Sequence, residues 1–560
     1  MLTPNRIKQL TYKNIGKLSF ITTQIVIAVG WLLLYRSHSA SPAPLGTHPA
    51  KGWWGWFDQG EYLKITEQFT RFDFFNPDKY YPPLYPALPS LLHPLTGATL
   101  AYLFIDLACT LVFFGLLFFI FKRYINPILA LSGVVISYGF TLNLYNQWII
   151  PWTTNLSSVF LIIIAYQLQC LNEESKINQK LQSDRINYFN TRITTSFCLA
   201  AGIIWLRPFE IIPAGILSLG IIWTVSNKLY RENSKKSFNL FIKKFMFPLG
   251  MAILIAFLYG TYNVLTFGSL EPSYSKSIGS LGFNFQDIHF KFASLVNDSS
   301  SFGINDGAIT HVIPWFLIMA ALAFLGVFLF ELPIKLLIVS AFISSISYLA
   351  FNDLVPTGLF TYNNIHYFTW SIAVIGVAAI ASVSVIIYKG LHNTNYRRKK
   401  MPFVLAYIII LPIILGSVKP QTNRIFVTTP EWQITCPLNQ AEGLTIHEFK
   451  MSASPPASAN KSLPNWTRQL DLEIATSSQP ENLHLAHADQ VSLIINNTQQ
   501  AYRKDWRIVS YTKSGQNFLS ILLQKPANPK TLNAKLTINS KSNVDIPQQD
   551  LTCEHTTRHS

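Results

Sequence analysis

ATLAYLFIDLACTLVFFGLLFFIFKR, residues 98–123, holds one charged side chain, Asp106, in its first 24 positions and then ends on Lys122-Arg123. As a helix, a run of that length reaches about 36 Å at roughly 1.5 Å per residue, enough to cross a hydrocarbon layer of about 30 Å. Runs of similar texture recur on both sides. They lie at 18–35, 98–121, 125–142, 152–170, 193–206, 211–225, 245–266, 312–330, 334–351, 368–388 and 402–417. Eleven spans are therefore predicted, the short pair around Arg207-Pro208 departing furthest from the pattern. The first run is long for the apolar core of a signal peptide, so a retained anchor is expected.

The 560-residue chain carries 44 Lys and Arg against 28 Asp and Glu, a net +16, while charged residues are only 13% of the total. Soluble domains average roughly 25% charged residues. A surplus of this size would point to nucleic acid if it were clustered on a soluble domain, but it is not. Loops 1–17, 122–124, 171–192, 226–244, 331–335 and 389–401 hold 22 basic and 5 acidic residues, a net +17 that leaves −1 for the rest. Basic residues concentrate in the loops that stay in the cytoplasm. The surplus therefore reports orientation, with the N-terminus inside and the C-terminus outside, and no nucleic-acid partner is implied. A bacterial cell membrane is the expected location.

Beyond Lys419 the apolar runs stop. Short alternating stretches appear at Gln469–Ala475, Val491–Asn496, Asp505–Thr512 and Asn517–Gln524, separated by Pro, Ser and Asn. That alternation reads as strands. The expected architecture is mainly α: a polytopic helical domain over 1–418, with long outer loops at 36–97 and 267–311, then a β-rich extracytoplasmic domain over 419–560. Cys436 and Cys553 bracket the tail. An oxidising compartment would let them form a disulfide, and two unpaired thiols are the alternative.

The first outer loop is the most distinctive stretch: Trp53-Trp54-Gly55-Trp56-Phe57-Asp58-Gln59-Gly60-Glu61-Tyr62-Leu63-Lys64-Ile65, then Tyr80-Tyr81-Pro82-Pro83-Leu84-Tyr85-Pro86. Asp58, Tyr62, Ile65, Phe69 and Phe72 follow a helical stripe, which predicts a helix along the membrane interface. The three tryptophans suit that depth. Asp58 and Glu61, three apart, share a helix face. A carboxylate so placed is a candidate general base; on spacing alone it is equally a helix cap. Asp106 is an acid within a span, where it must be neutral, paired or turned to a cavity.

The pattern Phe57-Asp58-x-x-x-Tyr62-Leu63-x-Ile65 followed by Tyr81-Pro82-Pro83-Leu84-Tyr85-Pro86 resembles the first-loop signature of GT-C membrane glycosyltransferases, above all mannosyltransferases of the PIG-V type and their bacterial relatives. Phe57 stands where the family has Trp, and Thr66 where it has Ala. The resemblance implies a GT-C-like fold and a polyprenyl-phosphate sugar donor. It further implies an extracytoplasmic glycan, lipid or protein acceptor, with Asp58 as catalytic base and Glu61 as a second acid. Tyr62, Tyr81 and Tyr85 would belong to the substrate loop.

Leu206-Arg207-Pro208-Phe209-Glu210 is similar to the family's Arg-containing turn, where a cation holds the donor phosphate. A structural Arg paired with Glu210 or Asp106 is the other reading. Asn363-Asn364-Ile365-His366-Tyr367-Phe368 falls where relatives carry Arg-Tyr, making His366 a second candidate for the phosphate or a structural residue among aromatics. The second outer loop, Asn143–Thr154, lacks the acid of many relatives, with Asn155 near that point. No metal ligand is named and no cofactor is implied, a divalent cation staying open.

No GxxxxGK[ST], strand-linked GxGxxG or DxD is present, which argues against an ATP-driven or nucleotide-sugar module. The leading expectation is inverting transfer of mannose or another hexose. The alternative is a lipid or glycan transporter or flippase without bond-making, in which Asp106 and Arg207 line the path.

Overall fold

The computed structural model describes residues 4–39, 57–139, 142–176, 183–232, 237–270, 288–296, 315–351 and 364–392, a few isolated positions, and backbone strand segments beyond residue 431. Trp53, Trp54 and Trp56, most of the run 402–417, and the side chains of Cys436 and Cys553 lie outside the described residues.

The helical domain begins with α1 (Pro4–Ser39), α2 (Phe57–Thr70), α3 (Leu84–Thr96), α4 (Ala98–Phe121), α5 (Pro127–Tyr138), α6 (Leu142–Gln147) and α7 (Thr153–Lys176). It continues through α8 (Ser183–Gly202), α9 (Ile211–Glu232), α10 (Ser237–Phe267), α11 (Ile288–Val296), α12 (Phe316–Leu329), α13 (Leu332–Leu349) and α14 (Thr369–His392). Among the described residues, six helices are long and apolar enough to cross a membrane: α4, α7, α9, α10, α13 and α14. Phe20–Arg36 in α1, α5 and α12 are apolar but shorter. The chain is a helical membrane protein.

Local chemistry sets the helix ends. Gly97, at φ +77°, makes the corner between α3 and α4 in a backbone region that suits glycine. Asn126 caps α5, its side chain accepting from the Ile128 amide at 2.9 Å, and Pro127 occupies the first turn where its missing N–H costs nothing. Pro208 disfavours helix for the residue before it. The chain between α8 and α9 accordingly breaks into two short 3₁₀ turns, Ile203–Trp205 and Pro208–Glu210, with Arg207 extended at φ −156° between them.

Contacts sort the loops into two sets. On one side Arg123 pairs with Glu173, Lys176 with Glu331, Arg192 with Glu174, and Lys244 donates to Asn190. On the other, Gln59 meets Pro151, Arg207 meets Thr153 and Phe75 packs on Tyr262. These are the alternate sets that the charge pattern separates. The core between them is aromatic: Phe113 and Phe114 pack on Trp148, Tyr138 packs on Phe114, and Trp31 donates its indole N–H to the Trp148 carbonyl at 2.8 Å.

One expected feature is corrected. Helix α2 stops at Thr70, and Phe72 leaves the stripe with φ +61° and its side chain exposed. The remaining stripe, Tyr62, Ile65 and Phe69, is buried. Its apolar face packs on α3 and α4 and not on lipid, because Tyr102 on α4 donates to the Tyr62 carbonyl at 3.0 Å and pairs with the Thr66 hydroxyl at 2.7 Å.

Without a hydrophobic drive between helices in lipid, close packing and interhelical hydrogen bonds hold a membrane domain together. Gly326 on α12 shows how tight that packing is. A Cβ there would sit 2.8 Å from Ile338 on α13 and 2.9 Å from Ser382 on α14. Gly326→Leu is therefore expected to separate these helices and cost about 1–3 kcal/mol, read as a lower melting temperature in detergent. An unchanged transition would show that the contact is slack.

Candidate functional site

Asp58 lies in the first turn of α2, where the helix dipole favours a carboxylate. It is half-buried and accepts a short hydrogen bond from the Tyr81 hydroxyl. The Tyr81 ring packs on Tyr62 at 4.7 Å, Tyr62 meets Tyr85 edge-on at 5.3 Å, and Tyr85 meets Tyr102 at 5.4 Å. The Tyr85 hydroxyl then reaches Asp106, 2.8 and 2.9 Å from its two oxygens. Tyr62, Tyr81 and Tyr85 thus form one aromatic stack with a carboxylate at each end. Glu61 is half-buried one turn along α2, and no hydrogen bond or ion pair involves it among the described residues.

Asp106 is fully buried and is held by Tyr85 and by the Asn155 amide, which donates to it at 3.3 Å and to the Ile150 carbonyl at 3.0 Å. Its partners are neutral donors, so Asp106 is not the counter-ion of Arg207. Asn155, noted in sequence as standing near the missing family acid, is placed directly on this buried one.

Arg207 is 5% exposed. Its Nε donates to the Tyr348 hydroxyl at 2.9 Å, one terminal nitrogen donates to Thr153 Oγ1 at 3.3 Å, and the guanidinium lies 4.6 Å over the Tyr367 ring. Tyr348 in turn donates to Glu210 at 2.9 Å. The hydroxyl relays between the cation and the fully buried Glu210, which supplies the compensation a buried guanidinium needs. His366 is buried in the same group. It stacks on Trp152 at 3.9 Å with the planes 6° apart, and tilts against Tyr367 at 4.1 Å. The structure therefore brings His366 and Arg207 together through Tyr367 and the Trp152-Thr153 pair.

The segment Trp148–Asn155 joins the two groups. Gln59, next to Asp58, donates to the Pro151 carbonyl at 3.0 Å. Thr153 meets Arg207, Trp152 stacks on His366, and Asn155 faces the acid. Thr153 and Asn155 are two apart on α7, about 200° around the helix at roughly 3.6 residues per turn, so the two groups flank opposite sides of its first turn. Among the described residues no three His, Cys, Asp or Glu side chains converge as a metal site.

Tyr348, Thr153 and Trp152 carry much of this geometry and were not singled out in sequence. A tyrosine near the outer end of an apolar span reads as an interface residue, and nothing local marks it as the partner of Arg207. No family model, curated protein or solved structure matches the chain.

Two predictions concern the scaffold of this site. Asn155→Leu leaves the Ile150 carbonyl and one side of Asp106 without a donor, expected to cost about 1–3 kcal/mol; a melting temperature equal to wild type would contradict it. Lys79, buried in the first loop, donates to the Asp73 carbonyl at 2.8 Å and lies 4.6 Å over the Phe69 ring. Burial pushes its ammonium down from 10.5 to about 8, with Asp73 acting the other way. Between those two values the unfolded chain binds more protons than the folded one, so stability rises with pH in that window. The melting temperature of wild type minus that of Lys79→Met should increase from pH 7.5 to 10. A flat or falling difference would show that the amine is not desolvated.

Proposed function

We propose that this chain is a GT-C-type membrane glycosyltransferase that moves a sugar, mannose or another hexose, from a polyprenyl-phosphate donor to an extracytoplasmic acceptor with inversion. Asp58 takes the acceptor hydroxyl proton as the oxygen attacks the anomeric carbon. The bond from that carbon to the phosphate oxygen breaks, and its electron pair leaves with the polyprenyl phosphate. Arg207, with His366 beside it, stabilises that anion.

The observation that carries this reading is the half-buried Asp58 held by Tyr81 at the start of α2, on a loop that shares its side of the protein with buried Arg207. Asp106, though deeper, is enclosed by Tyr85 and Asn155 and is a poor base for an outside acceptor. The wider architecture belongs to the same proposal: eleven spans, the N-terminus inside and the C-terminus outside the cell membrane, and a β-rich tail over 419–560 with Cys436 and Cys553 bridged. Antiparallel pairing of Trp432–Pro437 with Gln516–Leu523, and of Leu444–Ser452 with Gln469–Thr476, supports the tail assignment.

Membranes supplied with labelled polyprenyl-phosphate hexoses test the reaction. Asp58→Asn is expected to lower transfer by about 10²–10⁴-fold with the melting temperature held, and Glu61→Gln by much less. Full transfer by Asp58→Asn would remove the base assignment. Transport of such a donor across the bilayer without transfer would favour the flippase reading.

A further inference from the structure

The turn after α2 exposes three phenylalanines in four residues: Phe72 at 80%, Phe74 at 42% and Phe75 at 50%. Phe72 has φ +61°, a left-handed conformation uncommon for a bulky residue. It is held there by its own amide donating to the Phe69 carbonyl at 3.0 Å, the Asp73 amide to Gln68 at 2.9 Å, and the Phe74 amide to Phe72 at 3.1 Å. The turn is braced from beneath as well. Lys79 donates to the Asp73 carbonyl and Asn76 to the Asp73 carboxylate at 2.7 Å. A braced, unfavourable backbone that ends by pushing a large apolar ring outward needs a medium that rewards exposure of the ring.

The turn's depth identifies that medium. Phe75 packs on Tyr262 at 5.9 Å, and Tyr262 lies in the last turns of α10, five residues before Phe267. Trp205 packs on Tyr262 at 5.6 Å and on Tyr259 at 5.2 Å, and donates to the Ile255 carbonyl at 3.1 Å. Trp and Tyr gathered at the end of an apolar span mark the level of the lipid headgroups. Just below, α10 presents Ile253, Leu254, Phe257 and Leu258 outward, as a helix facing acyl chains does. Arg71, Asp73 and Asp78 are exposed beside the rings, polar groups suited to headgroups and water.

We propose that the Phe72–Phe75 turn inserts into the adjacent lipid leaflet, the outer one under the orientation read from the charges, and anchors the C-terminal end of α2 to the bilayer. The partner is the lipid surface itself, at the upper acyl-chain level, continuous with the lipid-facing side of α10. The anchor stands on the position of α10 and holds whatever reaction Asp58 serves.

Nitroxide labels on F72C and F74C, each in a background with the native cysteines replaced and reconstituted in phosphatidylglycerol–phosphatidylethanolamine nanodiscs, test this by collision with oxygen and with a water-soluble nickel chelate. E67C on the exposed side of α2 and D78C serve as aqueous references. The labels at 72 and 74 are expected to collide several-fold more with oxygen than with nickel, and the references the reverse. Greater nickel than oxygen accessibility at both 72 and 74 would place the turn in water and overturn the proposal. Low accessibility to both would mean that protein covers the turn, and would overturn it equally.

Discussion

A chain that breaks its helix at the edge of a bilayer must find donors for the carbonyls it frees, and the break between α6 and α7 is where this protein meets that demand. Pro151 lacks an N–H and disfavours helix at Ile150. Three acceptors within four residues are then claimed by side chains. The Trp148 carbonyl takes the Trp31 indole from α1 and, at 3.4 Å, Thr110 from α4; Ile150 takes Asn155 from α7; Pro151 takes Gln59 from α2. Unsatisfied backbone in such surroundings costs several kcal/mol per group. The arrangement of α1, α2, α4 and α7 is thereby coupled through one short stretch of backbone.

That coupling places the candidate site. Gln59 fixes the first turn of α2, and Asp58 precedes it by one residue. Asn155 reaches Asp106 from the same short segment whose Thr153 and Trp152 meet Arg207 and His366. The acid group and the cation group are thus two sides of one helix start, set by neighbouring residues of one turn. Asp58 and Asp106 sit at opposite ends of a tyrosine stack but in different surroundings. One is half-buried and accepts from Tyr81, the other is fully buried and enclosed by Tyr85 and Asn155.

Much of this fold was legible in the sequence because its signal is local. Apolar runs located the long helices, and the basic residues at their ends separated the loops into the two sets whose contacts the structure brings together. The helical stripe of the first loop was read correctly as far as Phe69 and failed at Phe72. Periodicity does not sense that hydrogen bonds to Phe69 and Gln68 close the helix first. Nor does it sense what the stripe packs against, since the donor that claims it, Tyr102, is 40 residues away. The same limit hid the relay from Arg207 through Tyr348 to Glu210, a link across 138 residues with no local pattern. Asp58 and Tyr81 were each noted, but only the turn between α2 and α3 shows that they touch.

The two sides of the domain are built on different physics. The positively charged side is tied by ion pairs whose partners are 27–51% exposed, and exposed pairs contribute about 0–1 kcal/mol each. Their charges set sidedness far more than stability. The opposite side is tied by buried groups with few alternatives, Asn155 on a carboxylate and a carbonyl, Arg207 on a tyrosine and a threonine, where losing one partner leaves a polar group stranded at about 1–3 kcal/mol or more. The side that carries Asp58 and Arg207 is therefore the one whose geometry is strongly specified. The proposed transfer, with a base and a cation in fixed relation, requires that rigidity, and it is obtained from the same turn that satisfies the broken backbone.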